Sequence, residues 1–387
     1  LLLFMFPIFV FGQYTSIPSP VFEQRLIDLG YDTIHDGQVF TVNISAVTYL
    51  SVFNHNIVDL TGIADFTALE VLDCDFSRLT SLDVSQNTAL KELYCANNLL
   101  TNLDISQNTT LIELSCGYNQ LTNLDVSQNT ALKELYCDYN QLTNLDISQN
   151  TALIELSCGF NQLTNLDVSQ NTALKGLSCA NDGSLSGLAN LDVSQNTSLE
   201  SLFCVGNQLT SLDVSQNTAL IYLSCVYNQL TSIDLSQNIS LYALNCMNNQ
   251  LTSLDLRRNG PYLLHLNTTD NDSLFCISVD DSTWYTNNSY NIDSHTNFSN
   301  DCNSTLANTN VFKNSSISIY PNPTKENITI NINNFNGNIK TEVYDLIGNR
   351  LQTTNETTIS LKDYARGIYL LKVTYGDRAQ EVKVIKD

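Results

Sequence analysis

The chain has 387 residues, enough for about two or three domains. Its 17 Lys and Arg residues stand against 39 Asp and Glu residues, which argues against binding to nucleic-acid phosphates or anionic lipid surfaces, because both need clustered positive charge. The charge is also uneven: residues 311–387 hold ten basic and eight acidic side chains, whereas the preceding residues carry the excess of negative charge. This change predicts a domain boundary near residue 310.

The first 45 residues predict two segments. Residues 1–11 are almost entirely apolar, a run too short for a membrane-spanning helix of about 20 residues but typical of the apolar part of a secretory signal. We therefore predict a truncated signal peptide at residues 1–12 and an exported protein, with a membrane anchor as the alternative. In residues 13–45, the helical spacing of Val21–Leu29 ends at Gly30 and predicts an N-terminal cap.

Nine cysteines recur every 21 residues, apart from one step of 25. They are Cys74, Cys95, Cys116, Cys137, Cys158, Cys179, Cys204, Cys225 and Cys246. Each lies in the pattern LxxLxCxxNxLTxLDxSxNTx, and this period and leucine spacing are typical of a leucine-rich repeat solenoid. With imperfect flanking copies, residues 46–272 predict about eleven units. The expected fold is mainly β, with a parallel concave sheet and little helix.

The pattern assigns a position to each repeated side chain. The leucine and cysteine of LxC share the buried face of a short strand, and Asn98 and its equivalents should turn inward to bind turn backbone. We predict that the thiols are buried and inert. Disulfides between neighbouring units are disfavoured by the spacing of parallel strands, a zinc site by the linear arrangement of the thiols, and a nucleophilic role by the lack of an accompanying histidine.

The outward positions of the strands predict a ligand-binding concave surface in two parts. The N-terminal part is an acidic column beside tyrosines, and the C-terminal part is an exposed apolar group of the kind that marks protein contacts. The first comprises Glu92, Tyr94, Glu113, Glu134, Tyr136 and Glu155, and the second comprises Phe203, Val205, Tyr222, Val226 and Met247. A solvated face without a ligand is the alternative.

Two further columns recur at the edges of the repeats. An aromatic rim, preceded by Phe76, comprises Tyr118, Tyr139, Phe160 and Tyr227, and either holds a sugar ring or a peptide or packs between repeats. In each repeat an aspartate lies two residues before the serine of Ser-x-Asn, as Asp83 and Asp104 do. Its carboxylates either cap the backbone of the following residues or hold calcium, and the absence of glycine-rich calcium loops favours capping.

The C-terminal residues predict a cap, a linker and a second domain. In an exported protein, Cys276 and Cys302 form the natural disulfide pair, within a cap at residues 273–302. An Asn- and Ser-rich linker follows at residues 303–315. Residues 316–387 alternate polar and apolar side chains and predict a small Ig-like β-sandwich. Its expected strands are Asn327–Ile332, Thr341–Leu346, Thr358–Leu361, Gly367–Thr374 and Glu381–Lys386.

Both parts of the chain resemble known families. The 21-residue cysteine repeats resemble the internalin J-like type of bacterial leucine-rich repeat proteins, which implies a surface-exposed binding or adhesion role. The tail, from YPNP at residues 320–323 through VYDLIGN and ARGIYLLKV to the terminal VKVIKD, resembles the C-terminal sorting domain of type IX secretion cargo in Bacteroidetes. This resemblance implies passage through the outer membrane of a Gram-negative bacterium, removal of the tail, and release or attachment at the cell surface.

The sequence contains no recognised catalytic motif. Its four histidines, His35, His55, His265 and His295, are scattered, so we expect no enzyme activity, no cofactor and no metal site. The expected partners are a protein ligand on the concave face and the type IX secretion machinery on residues 316–387, with no nucleic acid and no membrane span. The alternative is a carbohydrate-binding surface protein that uses the aromatic rim.

Overall fold

The computed structural model describes most of the chain, in eight segments. These are residues 12–183, 187–259, 262–286, 290–302, 317–332, 337–345, 348–375 and 378–387. The predicted signal peptide, up to residue 11, and the predicted linker at residues 303–315 lie outside the described residues. The chain divides into two compact units, residues 1–302 and 303–387. Among the described residues, no helix has both the length and the apolar character that a membrane span requires.

The first unit begins with a small cap. It consists of β1 (Tyr14–Ser16), α1 (Pro20–Asp28), β2 (Gln38–Phe40) and α2 (Thr41–Ile44). The helix α1 starts after Ser19, whose hydroxyl accepts a hydrogen bond from the Phe22 amide at 3.4 Å, as is usual for an N-cap residue. Phe22 and Leu26 are fully buried, and Arg25 Nε donates to the Ser51 carbonyl at 3.0 Å. The cap therefore covers the first edge of the repeats.

Eleven short parallel strands form one sheet along the repeats. In chain order they are β3 (Tyr49–Ser51), β4 (Val71–Asp73), β5 (Glu92–Tyr94), β6 (Glu113–Ser115), β7 (Glu134–Tyr136), β8 (Glu155–Ser157), β9 (Gly176–Ser178), β10 (Ser201–Phe203), β11 (Tyr222–Ser224), β12 (Ala243–Asn245) and, after β13 (Leu254–Asp255), β14 (His265–Asn267). The strands pair in register, so each central leucine lies beside that of the next repeat. Turns and a 3₁₀ helix, Ile63–Asp65, occupy the return path of the chain.

The cysteine ladder is buried in the core, as predicted. All nine thiols are free and buried, and they pack with the strand leucines and with aliphatic residues of the return path, such as Leu103 and Ile105. Burial raises the pKa of Cys137 and of the other ladder thiols, because a low-dielectric environment disfavours the thiolate. The ladder thus contributes apolar packing.

Two columns of buried asparagine bind the backbone between repeats. In the predicted column, Asn140 Oδ1 accepts from the Leu121 amide at 2.9 Å and its Nδ2 donates to the Cys116 and Cys137 carbonyls. The second column, which the sequence reasoning missed, contains Asn129, fully buried, with Nδ2 donating to carbonyls of the preceding repeat at 2.9 and 3.0 Å. Both columns satisfy backbone groups that would otherwise be buried without partners.

The end of the first unit is a three-stranded sheet with a short helix. The strands are β13, β15 (Cys276–Ser278) and β16 (Asn297–Ser299), and α3 (Ser282–Thr286) lies between the last two in sequence. Cys276 and Cys302 form a disulfide. Ile277 is fully buried against the repeat core, so this segment continues the solenoid core at its C-terminal end.

The second unit contains two antiparallel sheets. One has the order β17 (Ile317–Tyr320), β18 (Asn327–Ile332), β21 (Thr358–Ser360), and the other has the order β20 (Arg350–Thr354), β19 (Ile339–Tyr344), β22 (Gly367–Tyr375), β23 (Arg378–Lys386). Both sheets contribute to one core, through residues such as Ile328 and Leu371. The sequence reasoning missed β20, whose polar residues are largely exposed at a sheet edge and give little alternation of burial.

Candidate functional site

The concave surface is built from the two outward positions of each strand. In a strand such as β6, the central Leu114 is buried, whereas Glu113 and Ser115 are half-buried and lie on the other face. Because the strands pair in register, equivalent residues form columns with a spacing of about 4.8 Å. The repeat therefore places side chains that are 21 residues apart in sequence next to each other on one surface.

The predicted acidic column lies on strands β5 to β8. Glu92, Glu113, Glu134 and Glu155 are register partners in turn. Burial, together with repulsion from neighbouring glutamates, raises the pKa of Glu113 and of Glu155. The column ends at Gly176 of β9, where the carboxylate of Glu155 occupies the space that a side chain at position 176 would need.

The tyrosines of this half bind the glutamates. Tyr94 Oη donates to Glu92 at 3.0 Å, and Tyr136 Oη donates to Glu134 at 2.8 Å. Burial and the bonds to these carboxylates raise the pKa of both phenols. The neutral tyrosines therefore serve as donors that stabilise the closely spaced carboxylates.

Two aspartates that the sequence reasoning did not select add to this acidic half. Asp75 Oδ1 accepts from the Ala96 amide at 2.6 Å, and burial raises the pKa of Asp75 to about 6, with repulsion from Asp73 adding to the shift. Burial also raises the pKa of Asp138. Their common position directly after the repeated cysteine was the available signal, because that position ends the strand at the concave surface.

The predicted apolar group lies on the C-terminal half of the sheet, but one of its members is not exposed. Phe203 and Tyr222 are 41% and 44% exposed on adjacent strands β10 and β11, and Val205 and Met247 are half-buried. Val226 is only 5% exposed, so its predicted place in an exposed patch is wrong. Its carbonyl accepts from Gly206 N at 2.8 Å and from Asn228 Nδ2 at 3.3 Å, which holds this backbone against the core.

A cavity of about 390 Å³ adjoins Phe203 and Tyr222. It lies over Ala243 of β12 and reaches His265 of β14 and the amide side chain of Asn245. The sequence reasoning treated His265 as one of four scattered histidines and did not select Ala243 or Asn245. The sequence signal available for Ala243 was its position in the repeat, which places it between the larger side chains of Tyr222 and His265 on the neighbouring strands.

The aromatic rim is a stack of rings. The Tyr118 and Tyr139 ring centroids are 4.0 Å apart with planes 13° apart, and Tyr139 and Phe160 are 4.2 Å apart at 7°. Both faces of Tyr139 are therefore covered by neighbouring rings. This arrangement is packing between repeats, the alternative to a rim that holds a sugar ring or a peptide. Tyr227 does not join this stack, because Asn181 and Gly206 occupy the two intervening rim positions.

The aspartate column caps the backbone. Asp104 Oδ1 accepts from the Ser106 amide at 2.9 Å, and the same bond recurs in other repeats, as at Asp125 and Ser127. This bond lowers the pKa of Asp104, because it stabilises the carboxylate. Within the described segments, no group of three or more His, Cys, Asp or Glu side chains is placed to hold a metal ion.

Solved structures of similar fold match much of the chain. The functional domain of InlJ from Listeria monocytogenes, described as including a cysteine ladder, has a TM-score of 0.61 and 26% identity, and the match covers 97% of this chain and 99% of that one. The chain is a leucine-rich repeat protein with a cysteine ladder. An internalin, inlF, from the same organism has a TM-score of 0.54 and 18% identity, covering 74% and 96%. The leucine-rich repeat domain of APL1B has a TM-score of 0.53 and 22% identity, covering 70% and 88%.

The tail of this leucine-rich repeat protein matches a family model. Residues 318–387 match the secretion system C-terminal sorting domain, in agreement with the resemblance to type IX secretion cargo. The protein is therefore exported, to be secreted or placed at the cell surface. A search of curated proteins found no match to the chain.

Proposed function

We propose that this protein is a non-catalytic adhesion or binding protein that captures a protein ligand on its concave face after export. The repeats supply a preformed sheet whose outward columns are open, and the sorting domain supplies the route out of the cell. Preformed surfaces lose little conformational entropy on binding. The proposed role needs no cofactor.

The observation that carries this proposal is the exposure of Phe203 and Tyr222 as diagonal neighbours on adjacent strands of the concave sheet. Large aromatic side chains dominate the energetics of protein interfaces when they become buried there. In the solenoid core, side chains of this size are enclosed, as Phe22 and Phe66 are. We infer that Phe203 and Tyr222 are buried by the ligand.

The acidic column defines the other part of the proposed interface. Four in-register glutamates with tyrosine donors favour a ligand that presents Lys or Arg next to its apolar contact. Partial burial of the column strengthens this attraction relative to fully exposed charges. The proposed ligand therefore has a basic surface adjacent to an apolar one.

The second unit is the proposed export signal. We propose that its two antiparallel sheets form a small Ig-like sandwich that the type IX secretion machinery recognises and removes. Deletion of residues 316–387 is expected to leave the repeats inside the producing cell. Immunoblots of cell fractions would measure this, and normal export of the shortened chain would contradict it.

The test of the proposed binding surface compares two double variants of the full chain. Phe203→Ala with Tyr222→Ala removes the concave aromatics, and the control, Phe76→Ala with Tyr118→Ala, removes exposed aromatics of the rim. Immobilised proteins are incubated with surface extracts of host and bacterial cells, and captured proteins are quantified by mass spectrometry. We expect the concave variant to lose at least one protein that the wild type and the control retain. Equal capture by all three would contradict the proposal.

A further inference from the structure

Ala243 leaves a gap in a column of rings on the concave sheet. Tyr222, Ala243 and His265 are register partners on adjacent strands, so Tyr222 and His265 stand two strand spacings apart, about 9.6 Å at the backbone. The cavity over Ala243 has a volume of about 390 Å³. The space is open to solvent on its outer side, and its volume is sufficient for one small ring.

A third ring, Tyr242, packs between Tyr222 and His265 beside the cavity. Tyr242 contacts Tyr222 edge-on, with centroids 5.9 Å apart, and contacts His265 in the same manner at 5.1 Å. The Tyr242 hydroxyl also lies 3.3 Å from His265 Nε2. The two walls of the cavity are thus positioned before a ligand arrives, which reduces the entropy lost on binding.

Two amide side chains, Asn245 and Asn267, line the cavity. Asn245 Oδ1 accepts from the Met247 amide at 3.3 Å, and Asn267 Oδ1 accepts from the Thr269 hydroxyl at 2.9 Å. Because each amide oxygen is already bonded, Nδ2 is the group of each amide that can donate to a ligand. Asn267 Nδ2 has a sulfur acceptor, Met247 Sδ at 3.7 Å, and Asn245 Nδ2 has no hydrogen-bond partner among the described residues.

The lining is free of acidic and strongly basic side chains. It contains no Asp, Glu, Lys or Arg within the described part of the chain, and its remaining members are Phe203, Leu223, Ser224, Leu244, Leu264, Leu266 and Asn291. The acidic column ends at Glu155, four strands before β12 in the sheet order. A charged ligand would therefore lose its hydration here without gaining an ion pair. The site selects for an uncharged ligand with hydrogen-bond acceptors.

We propose that this cavity binds one neutral saccharide ring. A pyranose presents C–H groups on its faces, which pack against the electron-rich faces of Tyr222 and Phe203, and hydroxyl oxygens on its rim, which accept from Asn245 and Asn267. Because Asn245 and Asn267 are register partners, about 4.8 Å apart, they match alternate hydroxyls of one ring. An aromatic side chain of a protein would leave at least one amide donor without an acceptor. The inference rests on the proposed binding role and narrows it: the part of the ligand that covers Phe203 and Tyr222 is a saccharide carried by the captured protein.

The experiment titrates the full chain with glucose, galactose, mannose, N-acetylglucosamine and fucose, observed by saturation-transfer NMR. p-Cresol, which mimics a tyrosine side chain, is the competing probe. Ala243→Leu fills the gap, Asn245→Ala removes a donor, and Ser201→Leu is the matched control, because position 201 lies in the same column on the other side of Tyr222. We expect at least one sugar to bind the wild type and the control equally.

The variants give the decisive outcomes. Ala243→Leu should abolish sugar binding, and Asn245→Ala should weaken it by about three- to tenfold, as expected for one hydrogen bond. If Ala243→Leu fails to fold, as judged by circular dichroism, His265→Ala replaces it and should weaken binding in the same way. Failure of every sugar to bind, unchanged binding in the variants, or tighter binding of p-cresol than of any sugar would overturn the proposal. None of these measurements uses a protein ligand, so they leave the proposed protein interface to its own test.

Discussion

The two halves of the concave sheet share one scaffold and present different chemistry. Strands β5 to β8 carry a glutamate at the position where β11, β12 and β14 carry Tyr222, Ala243 and His265. The buried leucine and asparagine are the same in both halves, as is the strand register, and the buried cysteine is replaced only in the β14 repeat, by Thr268. The buried half of each repeat therefore fixes the fold, whereas the outward half is free to determine what is bound.

Loss of a buried asparagine should destabilise the shared scaffold most strongly. Asn140→Ala in the acidic half and Asn228→Ala in the aromatic half each remove an amide that binds three or more backbone groups. Each should lower the free energy of unfolding by about 3 to 5 kcal/mol, because buried backbone groups lose their partners. Urea denaturation measures the loss, and exposed Asn144→Ala is the control with little change. A large loss of unfolding free energy in only one of the two variants would show that the two halves do not share the same scaffold.

The next effect concerns the thiols. Cys137→Ser and Cys225→Ser each replace a fully buried thiol with a more polar hydroxyl. Each should cost about 2 kcal/mol of unfolding free energy, with similar values in the two halves, whereas Cys225→Val should cost less because it remains apolar. The same denaturation experiment measures all three. If either serine variant were more stable than the wild type, the thiols would not be acting as apolar core residues.

The pH dependence separates two kinds of acidic column. The pKa of Asp75, about 6 in the folded protein, exceeds its ordinary value of 3.8, and the pKa values of Glu113 and Glu155 are also raised. These groups bind protons more tightly when folded, so the stability they contribute is lost as the pH rises through their folded pKa values. The aspartate column, with its lowered pKa values, loses stability as the pH falls below the ordinary value.

The unfolding temperature should therefore rise as the pH falls from 7 towards 5, and fall again below about pH 4. Asp75→Asn should reduce the rise, and Asp104→Asn should instead reduce the fall in acid. Thermal denaturation followed by circular dichroism measures both limbs. A steady decrease in unfolding temperature from pH 7 to pH 5 would show that the acidic half of the concave sheet is not desolvated.

The smallest effect lies at the boundary between the halves. Gly176→Ala places a methyl group where the Glu155 carboxylate lies, so that carboxylate should move into water. The stability should change by less than about 1 kcal/mol, because the displaced group is a flexible side chain. The pKa of Glu155 should fall towards its ordinary value, as measured by NMR titration of its carboxyl carbon. An unchanged pKa would indicate that Gly176 does not hold this carboxylate in place.

The scaffold could be predicted from the sequence because its buried residues recur in every repeat. Cys137 and Asn140 recur with their neighbours at a fixed spacing, and only burial inside a parallel stack explains both residue types. The burial of Val226 could not be predicted in the same way, because it depends on backbone bonds to Gly206 and Asn228. The cavity over Ala243 was also missed, because a small side chain defines a site only through the larger residues beside it in three dimensions.

Site-specific photo-crosslinking tests directly whether the aromatic half of the concave face contacts a ligand. A photoreactive phenylalanine analogue is placed at position 203, at position 113 in the acidic half, and at exposed Gln107 outside the concave sheet. The chain is irradiated with the surface extracts in which its ligand is sought. We expect a protein adduct from position 203, a weaker one from position 113 and none from position 107. Equal labelling from all three positions, or none from position 203, would show that the aromatic half does not contact the ligand.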